Sequence, residues 1–200
     1  MTLTDLAAPG FTAPAAPAHP LSSLTAAEID AVRAVVLALP STTDRLRFAY
    51  VGLEEPAKGE ILAWEQGGSL PERRARVQLL DLTTTRSSDL IVSLHSGRIL
   101  RETVLDGTGG QLPILDAEFE EVGIIANADE GWVAALAARG LTVDDVVLVP
   151  LSAGHYGYPA EEGRRILRTF AVRPDHPQAH PWAHPVDGLV EAPHRQLRRH

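Results

Sequence analysis

The 200-residue sequence contains no cysteine, which removes disulfides, thiolate zinc sites and cysteine nucleophiles together. Lysine is nearly absent, with Lys58 alone among eighteen basic side chains, and Asn127 is the only asparagine. Basic charge is in deficit. Eighteen Lys and Arg against twenty-six Asp and Glu leave a net charge of −8, which argues against nucleic acid as a partner. No run approaches the roughly 18 consecutive apolar residues of a membrane-spanning helix, so no membrane is expected. The first twenty residues lack a basic start and carry Pro14, Pro17 and Pro20 where an apolar signal core would run. No secretory signal is therefore expected, and the location implied is cytoplasmic. Hydrophobic residues make up 44% of the chain and mean hydropathy is −0.03, enough for one ordinary or two small globular domains.

Residues 1–20 are Ala/Pro-rich with Asp5 as the one charge, a composition that reads as a flexible lead-in. Structure begins at Leu24. Thr25 and Glu28 form a T-x-x-E capping box, with Leu24 and Ile29 in the hydrophobic-staple positions. Ile29, Val32, Val36 and Leu39 recur at helical spacing until Pro40. Alternation then predicts strands through Leu46, Phe48 and Tyr50, through Ala75, Val77 and Leu79, and through Leu90, Val92 and Leu94. Ser96-Gly97 offers a hairpin turn into residues 98–105. One helix followed by an antiparallel meander makes a first α+β domain over 21–106.

The glycine-rich D-G-T-G-G at 106–110 reads as a boundary. A second helix starts at Asp116 with Phe119, Val122 and Ile125 as its apolar stripe, and a third runs from an Asp129 cap to a terminal Gly140. Two strand candidates follow, 146–151 and 165–172. The second domain, 111–190, thus repeats the plan of the first with no residue-level repeat visible.

Chemistry is sparse. His176, His180 and His184 lie four apart, but each precedes a proline, so no continuous helix can stack them as metal ligands; an ordered loop is expected. Ser152 and His155 are close in sequence without a G-x-S-x-G elbow. D-G-T-G-G matches no phosphate-binding loop. The acidic residues from Asp116 to Glu121 suit the dipole of a helix start. The residues alone supply no active site.

A family resemblance supplies more. V-P-L-S-A-G (149–154), E-E-G-R-R-I-L-R (161–168) and W-A-H-P-V-D-G-L-V (182–190) resemble the N-terminal region of bacterial copper amine oxidases. Upstream, H-P-L-S-S-L-T-A-A-E-I (19–29), R-F-A-Y-V-G-L-E-E-P-A-K-G (47–59) and L-P-I-L-D-A-E-F (112–119) follow in the same order. The resemblance implies two small cystatin-like domains, each a helix on an antiparallel sheet. In the family these precede a catalytic β-sandwich that carries copper and a tyrosine-derived quinone and forms a homodimer. That complete enzyme oxidises primary amines to aldehydes, releasing ammonia and hydrogen peroxide. By the same resemblance Phe119, Pro150, Leu151 and Trp182 match positions that line the substrate-channel entrance. Read from the residues alone, Phe119 and Leu151 are equally well core positions, whereas Trp182 sits in a Pro-bounded loop outside any periodicity.

This chain lacks the family's N-Y-[D/E]-Y quinone motif, since Asn127 precedes Ala128, and no two of its eight histidines lie two apart as H-x-H. No cofactor is expected in it. The segment 191–200, with three arginines against Glu191, departs from the family pattern and reads as an aberrant tail on an incomplete second domain. Three readings stand at this point: a non-catalytic amine oxidase fragment, a free-standing protein-interaction module, and a weak metal binder using the His-Pro tract.

Overall fold

The computed structural model describes residues 10–84, 86–105, 111–154, 156–162, 164–178, 180 and 182–193, with the side chains of 187–193 left aside. The D-G-T-G-G segment and the end of the 191–200 tail lie outside the described residues. The chain divides into two compact units, 1–106 and 107–200. Both are α+β, with antiparallel sheets.

In the first unit, α1 (Ala26–Leu37) starts where the sequence places it. The Thr25 side chain accepts the Glu28 amide, and the Glu28 carboxylate accepts the Thr25 amide at 2.8 Å. Such a cap contributes about 1 kcal/mol. Burying Val32, Val35 and Val36 contributes about 1.5–3 kcal/mol each. Packing therefore holds the helix, and the cap sets where it begins. Ile29 departs from its expected place in the stripe and is 42% exposed. Glu28, 1% exposed, takes the first core-facing position instead.

The four-stranded sheet runs β1 (Leu46–Glu54), β2 (Arg74–Asp81), β3 (Ser87–Ser93) and β4 (Ile99–Leu105), all antiparallel neighbours. Ala75, Val77, Leu79, Leu90, Val92 and Leu94 pack with the α1 valines into one core, as alternation predicts. Tyr50 does not. The β1–β2 register shifts between Phe48 and Tyr50, and one extra residue reverses every later side chain. Val51 joins the core and Tyr50 turns out. The sequence reading also passes over α2 (Lys58–Glu65), inserted between β1 and β2. With only Ile61 buried, it carries too short an apolar stripe to announce itself.

The lead-in is corrected over its described part. Phe11 packs against the core, and Pro20 is buried. The ring of Phe11 lies over Gly97, whose φ of +64° closes the β3–β4 turn; a Cβ there would come within 2.3 Å of the ring. Ala/Pro composition predicts little burial, but a single aromatic over a glycine suffices to seat the segment.

In the second unit, α3 (Asp116–Asn127) and α4 (Glu130–Ala137) cover one face of a three-stranded sheet, β5 (Val147–Ser152), β6 (Ile166–Val172) and β7 (Pro185–Pro193). Asp129 caps α4 by accepting the Trp132 amide at 2.7 Å. Gly140, at φ +70°, closes it: its own amide donates to Ala137 and the Leu141 amide to Leu136. This is the left-handed glycine ending anticipated from sequence. The third strand was not anticipated, because P-V-D-G-L-V-E-A-P has no clean alternation and begins and ends on proline. It runs to Pro193, three residues past the expected limit of the domain.

One feature recurs in both units. Arg73, just before β2, pairs with Glu28 through Nε and also donates to the carbonyls of Pro20, Ser22 and Ser23 at 2.8–3.0 Å. Arg165, just before β6, pairs with Glu118 at 2.6 Å and donates to the carbonyls of Leu112 and Pro113. Glu118 likewise accepts the amide of its helix cap, Leu115, at 2.7 Å. Each glutamate thus closes a helix N-terminus with one oxygen and anchors a strand through an arginine. A residue-level repeat therefore exists: Glu28, Ile29, Val32 and Val36 correspond to Glu118, Phe119, Val122 and Ala126 at a constant offset. Arg73, Val77 and Leu79 correspond in the same way to Arg165, Thr169 and Ala171.

Burial by itself would raise the Glu28 carboxyl, but the Arg73 guanidinium and the Thr25 amide and hydroxyl outweigh it and hold the group below its ordinary value. Asp89, beside Arg76, is lowered in the same manner. A carboxyl depressed on folding lends stability above its unfolded value of about 4.3 and loses it as pH falls through the folded value. Unit 1 is thus expected to weaken as pH falls below about 4, and Glu28→Gln should flatten that acid limb in a urea-unfolding series. Arg73→Ala leaves a buried unpaired carboxylate, at a cost of about 3–5 kcal/mol. Against a typical total of about 5–15 kcal/mol, this brings unit 1 near unfolding at neutral pH; an unchanged urea midpoint would contradict the assignment.

Thr169 is fully buried and its hydroxyl has no hydrogen-bond partner among the described residues. The equivalent residue of unit 1 is Val77, also fully buried. Thr169→Val should therefore stabilise unit 2 by about 1 kcal/mol, read as a higher thermal midpoint. A lower midpoint would show that the hydroxyl is bonded.

Candidate functional site

The residues singled out by resemblance all belong to unit 2, and register places them. Leu148 and Pro150 pair with Ala171 and Thr169, whose face is packed under α3 and α4. Val147, Val149 and Leu151 pair with Val172, Phe170 and Arg168 and point to the opposite, helix-free face. Pro150 is accordingly buried, whereas Leu151 is 47% exposed. Phe119 projects from the first turns of α3, 48% exposed. Neither Phe119 nor Leu151 is a core residue, so the core alternative for both is set aside.

Trp182 is 56% exposed. Its ring meets Phe170 edge-on, with centroids 5.6 Å apart. Since Phe170 neighbours Val149 across β5 and β6, Trp182 extends the apolar face that Leu151 begins. Leu151, Phe170 and Trp182 thus share one surface. Pro150 lies beneath it on the other side of the sheet, and Phe119 stands on the helix layer.

Phe170 was missed by the sequence reading. It falls within the strand candidate 165–172, and only its register opposite Val149 and its contact with Trp182 set it apart. Arg168 was missed as well. Its guanidinium donates to the Ala153 carbonyl at 2.7 Å, pairs with Glu161, and lies 5.8 Å from the centroid of the Tyr156 ring. Tyr156 is 70% exposed, and the backbone turns under it at Gly154 with φ +71°. Arg168 thereby ties the β5–β6 connection against the rim of the face. Among the described residues the surface is apolar and aromatic with one paired cation, chemistry suited to hydrocarbon or aryl groups.

The histidine tract is an ordered loop in its described part. The His176 Nδ1 accepts the Gln178 amide at 3.1 Å, and the His180 Nδ1 accepts the Trp182 amide at 3.2 Å. The His184 Nε2 lies 3.5 Å from Asp175. Among the described residues no three His, Asp or Glu side chains gather as metal ligands, and no helix is long and apolar enough to cross a membrane.

Comparison with known proteins places these features. Residues 25–110 match the AGAO-like N2 domain family. The histamine oxidase of Arthrobacter globiformis is 43% identical over 177 residues, which span 88% of this chain and 25% of that protein. The primary amine oxidase of Arthrobacter sp. strain P1 is 33% identical over 178 residues, 86% of this chain and 26% of the relative. The crystal structure of a copper-containing benzylamine oxidase from Hansenula polymorpha superposes with a TM-score of 0.63 at 18% identity, covering 84% of this chain and 27% of that one. A Pichia pastoris lysyl oxidase gives 0.58 at 16%, over 92% and 28%. At such identity the two structures establish the fold. The chain spans about a quarter of the length of the relatives it matches.

If Arg168 is the tie described, Arg168→Ala should speed hydrogen exchange of the amides in 153–162 while leaving the β5–β6 ladder protected. Equal exchange in the two proteins would show that the connection holds itself.

Proposed function

We propose, since the chain belongs to the copper amine oxidases as their N-terminal part, that it forms two non-catalytic domains of a primary-amine oxidase and supplies one wall of the substrate entrance. The observation that carries this reading is the 43% identity to a histamine oxidase across 88% of the chain. In the complete enzyme a separate catalytic β-domain would supply copper and a quinone, the groups that take electrons from the amine and pass them to oxygen. The residues of this chain do not fit those groups. It has no H-x-H and no N-Y-[D/E]-Y, and its described acidic and histidine side chains make no three-ligand cluster.

What the chain contributes is shape. Leu151, Phe170 and Trp182 make an apolar surface that favours contact with the carbon skeleton of an amine and leaves its nitrogen to the catalytic domain. Phe119, on the helix layer, is assigned to the same entrance from the other side of the unit. Pro150, buried behind Leu151, would set the path of β5 and would touch no substrate. Such a wall selects among amines by size. Homodimer formation and a cytoplasmic location belong to this proposal as properties of the complete enzyme.

Two experiments test it. The chain alone, incubated with copper, oxygen and simple primary amines, should release no peroxide; amine-dependent peroxide above the buffer control would contradict the non-catalytic assignment. Joined after Pro193, where β7 ends, to a family catalytic domain, the chain should support quinone formation. In that fusion Trp182→Ala should alter the kcat/KM ratio between bulky and small amines by about tenfold or more. An unchanged ratio with intact quinone would remove Trp182 from the entrance and favour an interaction module.

A further inference from the structure

The sequence contains the pair His-Pro four times, at His19, His176, His180 and His184. In three of them the imidazole makes the same bond. Nδ1 of His19, His176 and His180 accepts the backbone amide two residues on, from Leu21 at 3.1 Å, Gln178 at 3.1 Å and Trp182 at 3.2 Å. The intervening proline has no amide of its own to compete. Nδ1 here occupies the place of the side-chain oxygen when Asn or Asp bonds the amide two residues ahead. The difference is that an imidazole accepts at Nδ1 only while that nitrogen is unprotonated. Each turn therefore requires the neutral ring with its proton on Nε2.

At His180 this bond falls on the residue assigned to the entrance. The Trp182 amide is held by the imidazole, the two rings meet edge-on at 6.4 Å, and the Trp182 ring rests edge-on against Phe170. We propose that His180 is the positioning residue of Trp182: its neutral imidazole fixes the tryptophan against Phe170, and protonation of Nδ1 releases it. The positioning itself is independent of the channel reading; only its consequence for amine selection rests on that reading.

The charged groups around this loop do not supply the same control. Asp175 faces His184. On β6, Arg168 is engaged by Glu161 and Ala153, and the charge of Arg173, one residue past that strand, acts on Asp145. His176 bonds its own turn and adds a second imidazole to the loop, so its protonation must be separated from that of His180. Imidazoles change charge between about pH 5 and 8. The direction of the control is fixed by the bond itself: Trp182 is docked while Nδ1 of His180 is unprotonated and freed once that nitrogen carries a proton.

The test is an NMR pH titration of the 200-residue chain from pH 8 to 5, following the amide and indole signals of Trp182. Trp182→Phe assigns the indole, and the buried indole of Trp132 reports whether unit 2 stays folded. The Trp182 signals should shift through an imidazole-like step while the Trp132 indole stays in place. In His180→Ala, Trp182 should sit at the acid-end positions at every pH. In His180→Asn, whose side-chain oxygen can accept the same amide at any pH, Trp182 should stay near the alkaline-end positions throughout. His176→Asn should leave the step intact. Trp182 signals that do not move, or that move unaltered in His180→Asn, overturn the proposal. A step shared by Trp132 is unfolding and overturns it equally. Failure of the amine-preference test in the fusion leaves this titration unaffected, so the two readings fall separately.

Discussion

Each unit depends on one buried ion pair that does two tasks. A glutamate at the third position of a helix satisfies the amide at the helix cap, and the same carboxylate receives an arginine that stands at the root of a strand. The arginine spends its remaining donors on carbonyls of the segment leading into the helix. Helix start, lead-in and central strand are thereby fixed to one point. A buried pair is seldom a net source of stability against an apolar substitute. What it supplies is position, because neither member can move without leaving a buried charge unpaired. The hydrophobic core supplies the bulk of the free energy, and the pair sets where the helix crosses the sheet.

That constraint explains the surface as well. Because Glu28 and Glu118 take the first core-facing place of their helices, the apolar residue after each is displaced to the outside. Ile29 and Phe119 are exposed for the same reason. In unit 1 the result is an ordinary exposed isoleucine. In unit 2 it is an exposed aromatic on the helix layer, while the sheet carries Leu151, Phe170 and Trp182 on its helix-free face. Phe119 is thus exposed because a carboxylate occupies the core-facing place beside it, whereas Leu151, Phe170 and Trp182 owe their position to strand register and to the loop that follows.

Much of this was legible in sequence, for physical reasons. The T-x-x-E box, the alternation in β2 and β3 and the Asp129 and Gly140 helix ends are local signals, and each sits where its residues say. The failures were partly local, as with the short apolar stripe of α2, and partly nonlocal. Tyr50 was misassigned because a register shift, invisible to alternation, lies between it and Phe48. β7 was passed over because its prolines and glycine deny it a strand pattern, and its pairing partner, β6, lies well upstream. The repeat between halves escaped because it rests on one Glu and one Arg separated by more than forty residues in each unit, a spacing no periodicity reveals. Of the candidate site, resemblance supplied Phe119, Pro150, Leu151 and Trp182. Strand register was needed to find Phe170 and to put Pro150 on the opposite face from Leu151.

Each unit closes on its own arginine–glutamate pair. Native-state hydrogen exchange of two amides tests it directly: Thr25 and Leu115, each bonded to the carboxylate of its own helix. Measured in Arg73→Lys and Arg165→Lys, which keep the charge but lose the fork of donors, protection should fall at Thr25 in the first variant and at Leu115 in the second. Protection at the other amide should be kept in each case. Two amides that remain as protected as in the parent, or that lose protection together in either variant, would contradict the claim.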